Sequence, residues 1–264
     1  MADDGYGVRE GEVEIERRRL ALLAEARDSR SRRILDSTGL SPGWRCWELG
    51  AGSGSLSAWL GRRVGPGGTV WSTDTDLRFH REVLPNVVVE QHNVVHDPVP
   101  TGAFDLVHAR AVLQHLPERD RVMETLWAAL VPGGWLVVED GNFMAFGEQA
   151  LPEPYATVHR YVSSGTLNEW RDPDYGMRLP GRFRDLGATD IDIIGDVWAM
   201  RPGEPGGEWW FLALDRAIPR LVDAGLVTAE DGEKALAQVR MPGFVMMSTV
   251  SIAVFGRKPP DPHI

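Results

Sequence analysis

Apolar and polar residues fall in blocks along this chain, and the block lengths separate strands from helices. Short, nearly unbroken apolar runs occupy 45–49, 69–73, 87–92, 104–110 and 135–140. Runs of that length between turn residues fit strands covered on both faces of a parallel sheet. Between them, helical spacing of apolar residues covers 54–64, 77–83 and 119–130. A first long helix is predicted over Val13–Asp36, ended by Gly39 and Ser41-Pro42-Gly43. Gly65-Pro66-Gly67-Gly68 turns the chain into the second strand, and Pro132-Gly133-Gly134 turns it into the fifth. Repeated strand–helix–strand units predict a doubly wound α/β sandwich.

The pattern changes after residue 142. Residues 143–180 hold Pro152, Pro154, Pro173 and Pro180 among Tyr155, His159, Tyr161, Trp170 and Tyr175. That is too long for an ordinary connection between core elements, and it predicts a lid or substrate-binding insertion. Gly147, Gly165 and Gly176 are its expected points of flexibility. A core helix over Pro180–Leu186 and a sixth strand over Thr189–Val197 follow. A second insertion, 200–240, carries Trp209, Trp210 and Phe211, with helices expected over Leu212–Ala224 and Ala229–Val239. Phe244–Phe255 reads as the final strand. The domain reading is one domain over 1–264, with an N-terminal helical cap at 1–43 and the two insertions as helical lids; residues 1–9 are expected to be loosely held.

Composition narrows the class. With 43% hydrophobic and 25% charged residues, an ordinary soluble core is available. A formal charge of −10 argues against a general nucleic-acid surface. The Arg-rich stretch from Arg17 to Arg33 alternates with acids and reads as a solvated helix face. Cys46 is the only cysteine, so no internal disulfide is expected; its place in an apolar run marks a buried thiol. The N-terminus is acidic with no apolar run after it, and no stretch reaches the ~20 apolar residues of a membrane span. A cytoplasmic protein without membrane contact is expected.

The chemistry starts at Glu48-Leu49-Gly50-Ala51-Gly52-Ser53-Gly54, where a strand ends in a glycine-rich turn and a helix begins. Gly50, Gly52 and Gly54 let backbone turn tightly beside a ligand, and the helix start offers N–H groups to an anion. Asp74, closing the second strand, is placed to hold ribose hydroxyls, and Asn93 to meet an adenine edge. Asp76 competes as a cap for the next helix. The glycines alone admit NAD, FAD or S-adenosyl-L-methionine.

Several motifs in order resolve the choice. The glycine loop, Val64-Gly65-Pro66-Gly67-Gly68-Thr69-Val70 through Asp74, Phe104-Asp105-Leu106-Val107 through Leu113-Gln114-His115-Leu116-Pro117, and Leu130-Val131-Pro132-Gly133-Gly134-Trp135-Leu136 together resemble the class I S-adenosylmethionine-dependent methyltransferases of small-molecule type. The resemblance covers Trp44 to Asp140. It implies a seven-stranded, mostly parallel sheet with the last strand antiparallel, and an N-terminal helix over the cofactor cleft. It implies that Glu48 orients the loop or binds the cofactor's amino group, and that Gly50, Ala51 and Gly52 line the methionyl part. Asp74 would bind ribose with Thr75 and Asp76 nearby. Asn93 stands where the family usually has Asp for the adenine amino group, and Val94 would pack on the ring. His108, Ala109 and Arg110 would lie close to the sulfonium. A dehydrogenase fits less well, because insertions replace a second mononucleotide half.

Methyl transfer requires alignment of acceptor, methyl and sulfur, with a base only where the acceptor must lose a proton. Candidates for that role are His115, Glu139, Asp140 and His159. No metal is expected, since His108, His115 and His159 lack carboxylate partners at ligand spacing. Tyr155, Trp170, Trp209, Trp210 and Phe211 are candidates for an acceptor pocket, with plain packing as the alternative. The expected acceptor is a small organic molecule, an oxygen in preference to nitrogen or carbon, in a monomer or homodimer. A protein or RNA methyltransferase and a non-methylating cofactor-binding protein (a cyclase, decarboxylase or regulatory module) stay open.

Overall fold

Nine strands and seven α-helices follow one another along the residues that the computed structural model describes, 10–81, 84–143, 150–168 and 170–260. The strands are β1 (Arg45–Leu49), β2 (Thr69–Asp74), β3 (Val87–Gln91), β4 (Phe104–Arg110), β5 (Leu130–Asn142), β6 (Thr189–Asp196), β7 (Ala199–Met200), β8 (Met246–Met247) and β9 (Val250–Arg257). The helices are α1 (Val13–Ser37), α2 (Ser55–Val64), α3 (Arg119–Ala129), α4 (Tyr155–Ser163), α5 (Tyr175–Asp185), α6 (Pro205–Asp223) and α7 (Ala229–Val239). Seven strands form one sheet in the order β3-β2-β1-β4-β5-β9-β6. β1 pairs in parallel with β2 and β4, as β2 does with β3 and β4 with β5, while β9 runs antiparallel to β5 and β6. The chain reverses its lateral direction between β1 and β4, which leaves a crevice at their C-terminal ends.

Two compact units divide the chain, with one boundary inside α1 between Arg27 and Asp28. The sheet unit comprises 28–141, 174–195 and 251–264. Its core holds Leu35, Cys46, Leu60, Val70, Leu106 and Val137, all fully buried. Burial pushes the Cys46 thiol well above its ordinary value, with Asp105 and Glu48 adding to it, so this cysteine is packing material. The helical unit comprises 1–27, 142–173 and 196–250. There α4, α6 and α7 close around Tyr155, Leu214 and Ala235. Trp210 Nε1–H donates to the Tyr155 hydroxyl at 2.7 Å, and that hydroxyl donates to Met246 Sδ at 2.9 Å. Glu16 on α1 accepts from Arg19 at 2.6 Å and from Arg216 on α6 at 3.3 Å.

Five elements differ from their sequence expectation. β5 begins at Leu130: Phe104 pairs with Leu130 and Leu106 with Trp135, so the Pro-Gly-Gly turn is a bulge inside a continuous strand pairing. α5 begins at Tyr175, five residues before Pro180, which sits inside the helix. α6 begins at Pro205, a proline at the first helical position, and takes in Trp209, Trp210 and Phe211. The expected last strand breaks after Met247, where β8 pairs antiparallel with β7 and β9 joins the main sheet. The short helix expected over 77–83 is a 3-10 turn at Leu77–Phe79, with 82–83 outside the described residues, as are 1–9 and Gly147. Gly176 has a packing task in place of flexibility: a Cβ there would stand 2.9 Å from the Asp140 carbonyl oxygen, so α5 can seat against the end of β5. Among the described residues no helix is long and apolar enough to cross a membrane.

Candidate cofactor site

The glycine loop is held by the strand beside it. Gly50, Gly52 and Gly54 have φ of 68°, 53° and 74°, the left-handed region where a side chain is strained. Gly50 and Ala51 N–H donate to the Thr73 carbonyl at 2.8 and 3.0 Å. Gly52 N–H donates to Asp74 Oδ2 at 2.8 Å, and Asp76 N–H to Asp74 Oδ1 at 3.1 Å. The loop's own donors are therefore spent on β2. The donors left for an anionic ligand lie in the first turn of α2, where Gly54 supplies no side-chain cap. Two close approaches fix the loop's outer path. A Cβ on Gly50 would run into Val112 Cγ2, and one on Gly54 would meet the His80 ring.

Asp74 is half-buried at the end of β2. Burial pushes its carboxyl above the ordinary value, against backbone N–H groups of Gly52, Asp76 and Thr75 that pull it down. Gly52 N–H takes Oδ2 and Asp76 N–H takes Oδ1, and the carboxylate keeps acceptor capacity beyond its backbone donors. Thr75 is exposed, and its carbonyl accepts from Gln91 Nε2 at 3.0 Å. Asp76 caps the turn at Leu77, accepting from Arg78 N–H at 3.1 Å and ion-pairing with the Arg78 guanidinium, which lowers its carboxyl. Beyond β3, Asn93 Oδ1 accepts from Val95 N–H at 3.0 Å and Val94 is buried.

Across the middle of the sheet lies a group that no local motif announces. Glu48 on β1, His108 on β4 and Glu139 on β5 are 3%, 0% and 2% exposed. His108 Nδ1 stands 2.7 Å from Glu48 Oε2 and Nε2 stands 2.9 Å from Glu139 Oε1. Where the resemblance implied cofactor contact, both nitrogens of His108 face carboxylates. Burial alone would lower the His108 pKa, but the charge of Glu48 and the hydrogen bonds to Glu139 and Glu48 raise it to about 9. Arg110 turns to α1, donating to Asp28 Oδ1 and Ser31 Oγ at 3.0 Å each.

At the exit of β4, Ala111 has a left-handed φ of 55° and donates its N–H to the Glu139 carbonyl at 2.7 Å. A 3-10 turn at Leu113–His115 follows. Gln114 Oε1 accepts from Gly141 N–H at 3.3 Å, and its Nε2 stands 3.1 Å from His115 Nε2. An amide nitrogen only donates, so His115 Nε2 accepts there and its ring proton sits on Nδ1. Asp140, two residues before the end of β5, is fully buried. Beside it stands Tyr175, whose phenol is raised by burial and by Asp120 and Asp140. Gln114, Val112 and Tyr175 were not singled out as site residues from sequence; their contribution depends on which strands are neighbours.

His159 belongs to the helical unit. It is buried on α4, with ring centroids 5.5 Å from Tyr155 and 5.6 Å from Trp210. Burial and Arg160 lower it to about 4, so it is neutral at pH 7. Of the five aromatic candidates in this unit, Tyr155 and Trp210 are core, Phe211 lies under the Arg240 guanidinium at 3.4 Å, Trp209 is half-buried and Trp170 is 43% exposed.

The two histidines give stability opposite slopes. His108 has a folded pKa near 9 against an ordinary 6.5. Its contribution is full below 6.5 and is lost as pH rises through 9, on the order of 3 kcal/mol. His159 is depressed from 6.5 to about 4, so its contribution is present above 6.5 and lost as pH falls. Melting temperature is expected to peak near pH 6.5 and to fall by several degrees toward pH 9. Differential scanning calorimetry across pH 5–9 checks this, and a flat profile above 6.5 would refute the His108 assignment.

Comparison with known proteins fits this architecture. The family described as "Methyltransferase domain" matches residues 10–175. Methyltransferase str3 of Strobilurus tenacellus is 36% identical over 150 residues, which are 55% of this chain and 53% of that one. This chain thus spans about half the length of that relative. Trans-aconitate 2-methyltransferase of Deinococcus radiodurans is 33% identical over 219 residues, 74% of this chain and 79% of that one. A Haemonchus contortus phosphoethanolamine N-methyltransferase, solved with S-adenosylhomocysteine, shares the fold with a TM-score of 0.51 at 15% identity over 84% of this chain and 50% of that one. The sheet order, the stapled glycine loop and the family match agree: the chain belongs to the class I S-adenosylmethionine-dependent methyltransferases.

Proposed function

We propose that this protein transfers the methyl group of S-adenosylmethionine to a small organic acceptor, with oxygen favoured over nitrogen or carbon as the receiving atom. The observation that carries the cofactor half is Asp74, an acceptor-only carboxylate that staples the glycine loop and keeps acceptor capacity beyond its backbone donors. Asp74 would hold the ribose hydroxyls, with Thr75 and Asp76 beside them. Gly50, Ala51 and Gly52 would line the methionyl part, and Glu48 would accept from its ammonium through Oε1, which has no partner among the described residues. Asn93 and Val94 would meet the adenine. The bound cofactor supplies an electrophilic methyl on a sulfonium. The chain's own task is to align the acceptor with it and to keep water out.

For the acceptor proton the geometry favours Asp140 among the candidates. Glu139 belongs to the buried row with His108 and Glu48. His159 lies in the helical unit's aromatic core. Asp140 lies toward the C-terminal end of a sheet strand, beside Gly141 and close to Tyr175, on the side where open α/β sheets bind ligands. The small acceptor is supported by the relative named for trans-aconitate and by the −10 charge, which disfavours a nucleic acid.

Isothermal titration calorimetry with S-adenosylmethionine and S-adenosylhomocysteine tests the first step, with micromolar binding of both expected. Absence of binding by either would sink the cofactor reading. A panel of small hydroxy and carboxylic acids with methyl-labelled cofactor then tests transfer. Tight binding without turnover on any acceptor class would move the protein to the non-methylating cofactor binders.

A further inference from the structure

Glu48, His108 and Glu139 form a buried carboxylate–imidazole–carboxylate row across three adjacent strands, and the proposed cofactor contacts explain only the first of them. We infer that His108 is a positioning residue: doubly protonated between two carboxylates, it locks Glu48 so that Oε1 faces the cofactor's ammonium group, and Glu139 holds the second proton on His108. An ionised carboxylate only accepts, and a neutral imidazole has one N–H. With an ionised carboxylate at 2.7 Å from one nitrogen and another at 2.9 Å from the other, both bonds form when both nitrogens donate. Two buried carboxylates facing each other without that cation would carry a large desolvation and repulsion cost.

The second observation is the asymmetry at Glu48. Oε2 is taken by His108, while Oε1 has no hydrogen-bond partner among the described residues and is not sealed in. Glu48 sits two residues before Gly50, at the strand end where the glycine loop begins. Fixing one oxygen fixes the direction of the other, and a side chain with free rotamers would lose part of its binding energy to ordering. The charged groups around His108 are Glu48 from β1, Glu139 from β5 and, two residues along its own strand, Arg110, which is paired with Asp28 of α1.

This inference rests on the cofactor reading above, and its test separates the two. Affinity is measured for S-adenosylhomocysteine and for its analogue lacking the amino group, in the wild type, His108→Gln and Glu139→Gln. The wild type is expected to prefer the natural ligand by about thirtyfold. His108→Gln should shrink that preference at least tenfold, because it releases Glu48. Glu139→Gln keeps one N–H on His108 for Glu48 and should hold the preference within threefold. Equal losses for both ligands in His108→Gln would overturn the inference and leave the cofactor reading intact. No binding of S-adenosylhomocysteine by the wild type would sink the cofactor reading instead. Independently of any variant, nitrogen-15 spectra of histidine-labelled wild type at pH 7.5 should show both His108 nitrogens protonated. An unprotonated nitrogen there would also overturn it.

Discussion

Asp74→Ala is expected to weaken binding of S-adenosylmethionine and S-adenosylhomocysteine by about a hundredfold or more, the largest effect of any single change at the site. Two losses combine. Hydrogen bonds from ribose hydroxyls to a charged acceptor contribute about 1.5–3 kcal/mol each. The same carboxylate also accepts from Gly52 and Asp76, so its removal leaves the glycine loop without its staple. Asp74→Asn should fall between: an amide oxygen can serve one backbone N–H, but the amide nitrogen then faces the other as donor against donor. The adenosine half of the cofactor should carry the loss, so methionine should compete equally weakly against wild type and variant. Calorimetry on the three proteins decides. Affinity for S-adenosylhomocysteine within threefold of wild type in Asp74→Ala would remove Asp74 from the site.

Gly50→Ala should destabilise the fold by about 3 kcal/mol, lowering the melting temperature by roughly 10 °C. The left-handed backbone at φ 68° costs an L-residue about 1–2 kcal/mol. The new Cβ also enters the space of Val112 Cγ2, an overpacking of about 1–3 kcal/mol. The two terms separate experimentally. Adding Val112→Ala removes the collision but not the backbone strain, so the double variant should recover about half of the loss. Urea denaturation of the single and double variants measures both terms. A single variant within 1 kcal/mol of wild type, or a double variant no better than the single, would contradict this account of the loop.

Much of the sheet was legible because its strands are short, apolar and bounded by Gly, Pro or Asp. The expected bounds of Arg45–Leu49 and Phe104–Arg110 match β1 and β4, and Ala229–Val239 matches α7. The errors have local causes. Pro180 and the Gly206-Gly207 pair in the first turn of α6 disfavour helix by propensity, and packing of Leu179, Phe183, Trp210 and Leu214 overrides them. The final strand divides at Ser248-Thr249 because Met246 is claimed by the helical unit's core. The Glu48–His108–Glu139 row was illegible for a different reason. Its members are 60 and 31 residues apart, and only the order β1-β4-β5 makes them neighbours. One signal did point to it: each is a titratable residue inside an apolar run, and a buried charge needs a partner. Read together, those interruptions could have been paired before the strand order was known.

Ala111 joins these threads at one backbone position. Its left-handed φ of 55° turns the chain from β4 into the Leu113–His115 turn, and its N–H ties that exit to the Glu139 carbonyl. Side-chain size there is thus a question of conformational permission before it is one of contact. Glycine and asparagine can take up this conformation, whereas a β-branched residue is excluded from it. Such a residue at 111 would swing Val112 off Gly50 and Gln114 off Gly141, disturbing two strand ends through one torsion angle. The range of side chains the protein admits at this residue is for that reason narrow, even though no ligand need ever touch it.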